Sequence, residues 1–143
     1  GIRKKKFHGF WDNDAVNALF PLMPGRLPKK ELEAKISPFK QQLVHEMATH
    51  EPRNWQMPSN TSIDSYAEIW ADEILPIARE AHAHLEFRNV KPLLDGGPVV
   101  AAGQAIEKTA PDQTLYRTWA AGVVRDELQK AGWRLADLLE KIL

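Results

Sequence analysis

Two residues near the amino terminus, His8 and Asp12, have the side-chain types and the spacing of a metal-ligating pair. Residues four apart on a helix lie on one face, one turn from each other, so the imidazole and the carboxylate can reach the same ion. Zinc binds a histidine nitrogen or a carboxylate oxygen at about 2.0–2.2 Å, but it takes four ligands in all. The alternative interpretation is structural: Asp12 caps a helix and His8 is half-buried among aromatic side chains.

The other histidines do not complete a recognised catalytic motif. His45 and Glu46, followed by His50, resemble the zinc-protease pattern, but its second histidine would occupy position 49, which is a threonine. A spacing of five also turns His50 about 140° away around the helix. A solvated helix end, where the helix dipole favours histidine, explains these residues better. We expect similar surface positions for His82 and His84.

Several other chemistries are excluded by what the chain contains. The chain has no cysteine, which rules out disulfides, a thiol nucleophile, an iron–sulfur cluster and a cysteine-based zinc finger. Its serines do not lie in a G-x-S-x-G elbow, and its glycine-rich segment lacks the Lys-Ser/Thr of a phosphate-binding loop. We therefore assign no catalytic and no substrate-binding residue.

Charge is balanced overall but unevenly distributed. The 143 residues include 19 basic and 19 acidic side chains. Residues 1–40 hold nine basic and four acidic side chains, whereas residues 41–112 hold five and eleven. The basic run Arg3–Lys6 beside aromatic residues is compatible with binding of single-stranded nucleic acid by charge and stacking. The alternative is an ordinary solvated segment, and zero net charge argues against binding a polyanion by charge alone.

Helical periodicity predicts an all-α protein of one domain, residues 1–143. We expect a helix over residues 28–50 in two pieces divided at Pro38, because proline breaks or kinks a helix. Residues 65–85 read as a second helix capped by Asp64. The clearest helix is 112–142, in which apolar residues recur every three to seven positions.

The connections between the helices are predicted from residues that interrupt regular secondary structure. Residues 51–62 are rich in proline, asparagine and serine and predict a loop, in which Trp55 could be exposed. Residues 93–104 contain Gly-Gly-Pro and predict an irregular segment. The only strand-like stretch is the short Pro98–Val100.

Three segments together resemble the zinc-dependent, single-strand-specific class I nucleases. Residues 7–12, FHGFWD, are similar to the N-L-H-x-x-W-D segment of that family. Residues 67–73 with 77–81 resemble its W-A-x-E-S…A-x-x-A-Y helix, and residues 116–139 resemble its closing helix. The family includes the fungal nucleases S-one and P-one, plant bifunctional nucleases and bacterial members. The motifs occur in the family's order along the chain.

The resemblance implies a fold, a site and an activity. The fold would be the mainly helical phospholipase-C-like fold, and His8 and Asp12 would bind one ion of a cluster of up to three zinc ions. The implied activity is endonuclease cleavage of single-stranded DNA and RNA to 5′-phosphates, together with removal of 3′-phosphates from nucleotides. The zinc cluster would supply the positive charge that the neutral chain lacks. A secreted or periplasmic location is also implied.

The chain lacks part of the family's sequence pattern, and the part that it lacks indicates its expected partner. The family's upstream ligands are missing, and the chain begins at Gly1, so we expect the C-terminal half of the domain, inactive alone. Its partner would then be the missing N-terminal half. We expect no membrane association, because no apolar stretch approaches about 18 residues, and we see no signal peptide. The alternative function is a non-catalytic helical interaction module, in which Phe7, Phe10 and Trp11 are core and His8 is incidental.

Overall fold

The computed structural model is mainly helical over the residues that it describes, which are 7–23, 27–83, 85–88, 104–107 and 115–143. The elements in chain order are α1 (Phe7–Gly9), a π-helix (Phe10–Ala15), α2 (Lys29–Thr49), a 3-10 helix (Ile63–Ser65), α3 (Tyr66–Ala83), β1 (Leu85–Arg88), β2 (Gln104–Glu107) and α4 (Tyr116–Ile142). The predicted all-α class is therefore confirmed for the bulk of the described chain. Within these residues, no helix is both long enough and apolar enough to cross a membrane.

Helix α2 is continuous, and the prediction that Pro38 divides it is wrong. The helix runs from Lys29 to Thr49 with Pro38 inside it. Proline removes one hydrogen bond to the preceding turn, but a helix of 21 residues keeps the bonds on both sides. Pro38 is exposed, so water can satisfy the carbonyl that its ring leaves without a donor. Pro28 lies just before the helix, at its N-cap.

A short 3-10 turn, which the sequence did not predict, precedes α3. Ser62, not Asp64, is the capping residue, and its hydroxyl oxygen accepts a hydrogen bond from the Asp64 backbone N–H at 3.3 Å. Serine suits this position because its short side chain reaches the free N–H groups of the first turn. The 3-10 turn then continues into α3 at Tyr66. The predicted loop 51–62 is confirmed.

Two short strands form an antiparallel pair that the sequence did not indicate. Leu85 pairs with Glu107 and Arg88 pairs with Gln104 at the two ends of the ladder. Four residues are too few for an alternating pattern to stand out, so only the pairing defines them. The predicted strand Pro98–Val100 and the irregular segment 93–103 lie outside the described residues.

Helix α4 confirms the clearest predicted helix, but most of its leucines are not on its buried face. The residues of α4 that are buried are Tyr116, Ala120, Ala121 and Arg134. The large apolar residues that remain exposed on or beside it are Leu115, Leu128, Leu135, Leu139, Ile142 and Leu143. Small alanines allow close approach of the neighbouring segment, so the side of α4 that packs is not the side with the most leucine.

Arg134 joins α4 to the loop and to α3. It is only 5% exposed. Its Nε donates to the Trp55 carbonyl at 2.8 Å, and its Nη2 donates to the Asn54 carbonyl at 3.1 Å. Nη2 also lies 2.7 Å from the Glu73 carboxylate, and the guanidinium lies over the Trp70 ring at 5.8 Å. One side chain therefore holds three separate segments together.

The loop tryptophan is packed rather than exposed. Trp55 is half-buried, and its ring centroid lies 5.3 Å from that of Trp133. Its indole Nε1 donates to the Glu51 carboxylate at 2.6 Å. The predicted exposure is wrong because the loop folds back onto α4, where Trp133 supplies an apolar surface for the ring.

Lys141 fastens the carboxyl end of α4 to the start of α3. Its ammonium donates to the Asp137 carboxylate at 2.7 Å and to the Tyr66 hydroxyl oxygen at 3.0 Å. These hydrogen bonds, the one to Asp137 first, raise the pKa of Lys141 above its usual range because they favour the charged form.

Candidate metal centre

The segment that holds the candidate ligands is a single helical turn followed by a π-helix. His8 lies in α1, and Asp12 lies in the π-helix Phe10–Ala15. The π-helix bonds each N–H to the carbonyl five residues earlier, and such turns occur frequently at functional sites. Asn13 adds a side-chain bond here, since its Nδ2 donates to the Gly9 carbonyl at 3.3 Å. No motif in the sequence indicated this widened turn.

An aromatic cluster fixes this segment on α4. We define the aromatic cluster as Phe10, Trp11, Tyr116 and Trp119. The Phe10 and Tyr116 centroids are 5.3 Å apart, and Trp11 meets Trp119 edge to face at 5.9 Å. Such pairs stabilise by about 0.5–1.5 kcal/mol beyond their area burial. Phe10 and Trp11 therefore face the protein, while His8 and Asp12 face outward.

The same cluster is bonded to α3. Tyr116 is 1% exposed, and its hydroxyl donates to the Ala81 carbonyl at 3.0 Å. Ala15, at the end of the π-helix, is fully buried beside Ala120 of α4. The candidate ligands thus extend from a segment that α4, itself bonded to α3, holds in place. These contacts link positions 35 and more residues apart, and no local pattern in the sequence indicates them.

His8 and Asp12 are in direct contact on the outer side of this segment. His8 Nε2 lies 2.8 Å from an Asp12 carboxylate oxygen, and the side chains are 87% and 52% exposed. The spacing therefore brings the two groups together, as the sequence predicts. The alternative arrangement is not observed, because His8 is exposed and Asp12 forms no side-chain cap bond in the π-helix.

The geometry of this pair fits two ligands of one zinc ion. Two ligand atoms about 2.05 Å from a tetrahedral ion lie about 3.3 Å apart, so the 2.8 Å contact would need to open by only about half an ångström. Both side chains are exposed enough to make that adjustment. Within the described residues, however, no three His, Cys, Asp or Glu side chains converge. Any further protein ligand of such an ion would have to come from outside this described part.

The other histidines take no part in this site. His45 and His50 are exposed near the carboxyl end of α2, and His50 Nδ1 lies 3.0 Å from the Glu46 carbonyl oxygen. His82 is exposed near the end of α3. These positions agree with solvated helix ends. His84 and the basic run Arg3–Lys6 lie outside the described residues.

Known proteins do not identify the chain's family: no family model, curated protein or solved structure matches it. The resemblance to class I nucleases therefore depends on the residues themselves, in segments 7–12, 67–81 and 116–139. The contact between His8 and Asp12 is the structural feature from which a function can be argued.

Proposed function

We propose that this chain is part of a zinc-dependent nuclease that hydrolyses phosphodiester bonds of single-stranded DNA and RNA, contributing His8 and Asp12 as ligands of one zinc ion. The observation that supports this most is the exposed pair with its 2.8 Å contact, anchored by the aromatic cluster. The same activity would include removal of 3′-phosphates from nucleotides. A secreted or periplasmic location belongs to the same proposal.

The two side chains have distinct tasks in this proposal. His8 binds as the neutral imidazole and Asp12 as the carboxylate, so protons compete with the metal and acidification weakens the site. Zinc, when bound, lowers the pKa of a coordinated water and neutralises charge on phosphoryl oxygens. The aromatic cluster holds the backbone beneath both ligands, which limits how far either can move. We assign no general acid or base.

The zinc ligands that this chain does not supply indicate a partner. Two ligands leave a zinc ion open, and the resemblance assigns the others to the N-terminal half of the same domain. The exposed leucines of α4 support this proposal, because an unpaired apolar surface of this kind marks an interaction site. We therefore propose that the chain is inactive until that half covers it.

A second candidate, a non-catalytic helical interaction module, is favoured by the same exposed leucines. In that function Phe10 and Trp11 serve only as core, and His8 is incidental. The two candidates differ in their response to metal. A module without a metal centre keeps its thermal stability and its partner in the presence of a chelator, whereas the proposed nuclease loses its activity and regains it with added zinc.

Cleavage of single strands tests the proposal. We expect the chain alone to be inactive on single-stranded DNA, single-stranded RNA and 3′-nucleotides. Co-expressed with the polypeptide encoded upstream of Gly1, it should cleave all three, and chelation should abolish cleavage reversibly. Product ends should carry 5′-phosphates. Cleavage unaffected by chelation, or none from the co-expressed pair with zinc present, would contradict the proposal.

A further inference from the structure

Helix α2 carries an apolar stripe that is only partly buried. Leu32, Ile36, Phe39 and Leu43 follow one another at intervals of four, three and four, which places them along one face. None of the four is fully buried: Leu32, Ile36 and Leu43 are half-buried, and Phe39 is 41% exposed. A row of large apolar side chains at this spacing is the seam of a helix pair.

Hydrogen bonds join α2 to α4 near the carboxyl end of α2. Gln129 donates to the carbonyls of Met47 and His50 at 3.1 and 2.6 Å, and Trp133 donates to the Met47 carbonyl at 2.9 Å. These bonds hold the last turn of α2 against α4. The stripe at residues 32–43 lies amino-terminal to them, and its exposed part can meet a second helix.

We propose that a second copy of this chain packs on the stripe, with the two α2 helices antiparallel about a two-fold axis near residues 37 and 38. Leu32 of one copy then packs on Leu43 of the other, and Ile36 packs on Phe39. The two-fold axis generates each of these two pairs twice, so the interface contains four apolar layers. Pro38 is exposed and lies off the stripe, so its ring does not enter the seam.

The charges beside the stripe favour this antiparallel arrangement. In it, Glu33 of one copy lies opposite Lys40 of the other, and the two-fold axis repeats the pair. Neither side chain forms an ion pair within the part of the chain that the structure describes, whereas Lys35 is already paired with Glu31 at 3.5 Å. A parallel arrangement would bring Lys35 of one copy close to Lys40 of the other. Charges in these flanking positions determine partner and orientation in helix pairs.

A charge exchange at these two positions tests the pairing. Sedimentation equilibrium of the 143-residue chain, with a chelator present, should show a monomer–dimer equilibrium. Glu33→Lys alone and Lys40→Glu alone should each weaken the dimer about tenfold, because both symmetric pairs become repulsive. The double variant should restore it. An equimolar mixture of the two single variants should also restore it, because every pair in the mixed dimer is then attractive.

Matched variants separate this interface from other surfaces and from misfolding. Phe39→Ala should abolish the dimer and keep the helix, which circular dichroism checks, because alanine is a better helix former than phenylalanine. Lys30→Glu, exposed and off the stripe, is the control and should leave the dimer unchanged.

A chain that stays monomeric at millimolar concentration would overturn the proposal. A dimer that survives Phe39→Ala, or that the mixture of single variants fails to restore, would also overturn it. The test uses no metal, so its outcome is independent of the nuclease proposal.

Discussion

Replacing Arg134 by methionine is expected to lower the free energy of unfolding by about 2–4 kcal/mol. The substitution leaves the carbonyls of Asn54 and Trp55 without their donor and the Glu73 carboxylate without its cation. Breaking a fully buried ion pair costs about 3–5 kcal/mol. The Glu73 side chain is 37% exposed, so water replaces part of the lost interaction and the expected loss is smaller.

Urea denaturation of variant and control measures this loss. Arg79→Met is the matched control, because Arg79 is exposed on the neighbouring helix α3, and we expect it to change stability by less than about 0.5 kcal/mol. Glu73→Gln should cost about 1 kcal/mol, since it removes the charge and keeps the two carbonyl bonds. A loss below about 1 kcal/mol for Arg134→Met would show that this side chain does not hold the loop in solution.

The second large effect concerns the cleavage that we propose for the chain combined with an N-terminal partner half. His8→Ala and Asp12→Asn are each expected to lower zinc-dependent cleavage at least about hundredfold. Loss of a group that merely orients a ligand already costs about 10- to 100-fold, and loss of the ligand itself costs more. Both side chains are exposed, so neither substitution should change the free energy of unfolding by more than about 0.5 kcal/mol.

Two exposed residues serve as controls for this pair. His45→Ala removes an exposed histidine of α2, and Asp72→Asn removes an exposed carboxylate of α3. Both should leave cleavage unchanged. Full cleavage by His8→Ala would remove His8 from the site.

The helices could be predicted because their signals are local. Apolar residues recur through α4 at helical spacing, and the loop 51–62 is marked by its own prolines and serines. The continuity of α2 through Pro38 could not be predicted, because it depends on the hydrogen bonds of the whole helix and on an exposed ring. The packing of Trp55 on Trp133 is a contact between residues 78 positions apart, and no nearby residue indicates it.

The candidate site could be predicted in part. The contact of His8 with Asp12 follows from a spacing of four, which the sequence displays directly. The packing that holds the His8–Asp12 segment in place could not be predicted. The Tyr116 hydroxyl reaches the Ala81 carbonyl only after α4 has packed on α3. The apolar stripe on α2 follows from spacing alone, but only the structure shows that none of its residues is fully buried.

Zinc titration monitored by the histidine side-chain NMR signals tests the central claim most directly. Zinc added to the 143-residue chain should shift the His8 ring signals first, and Asp12→Asn should abolish that shift while Asp72→Asn preserves it. The signals of His45, His50 and His82 should move only at higher zinc concentrations. Zinc that shifts one of those histidines before His8, or a His8 shift that survives Asp12→Asn unchanged, would contradict the assignment of the His8–Asp12 pair as zinc ligands.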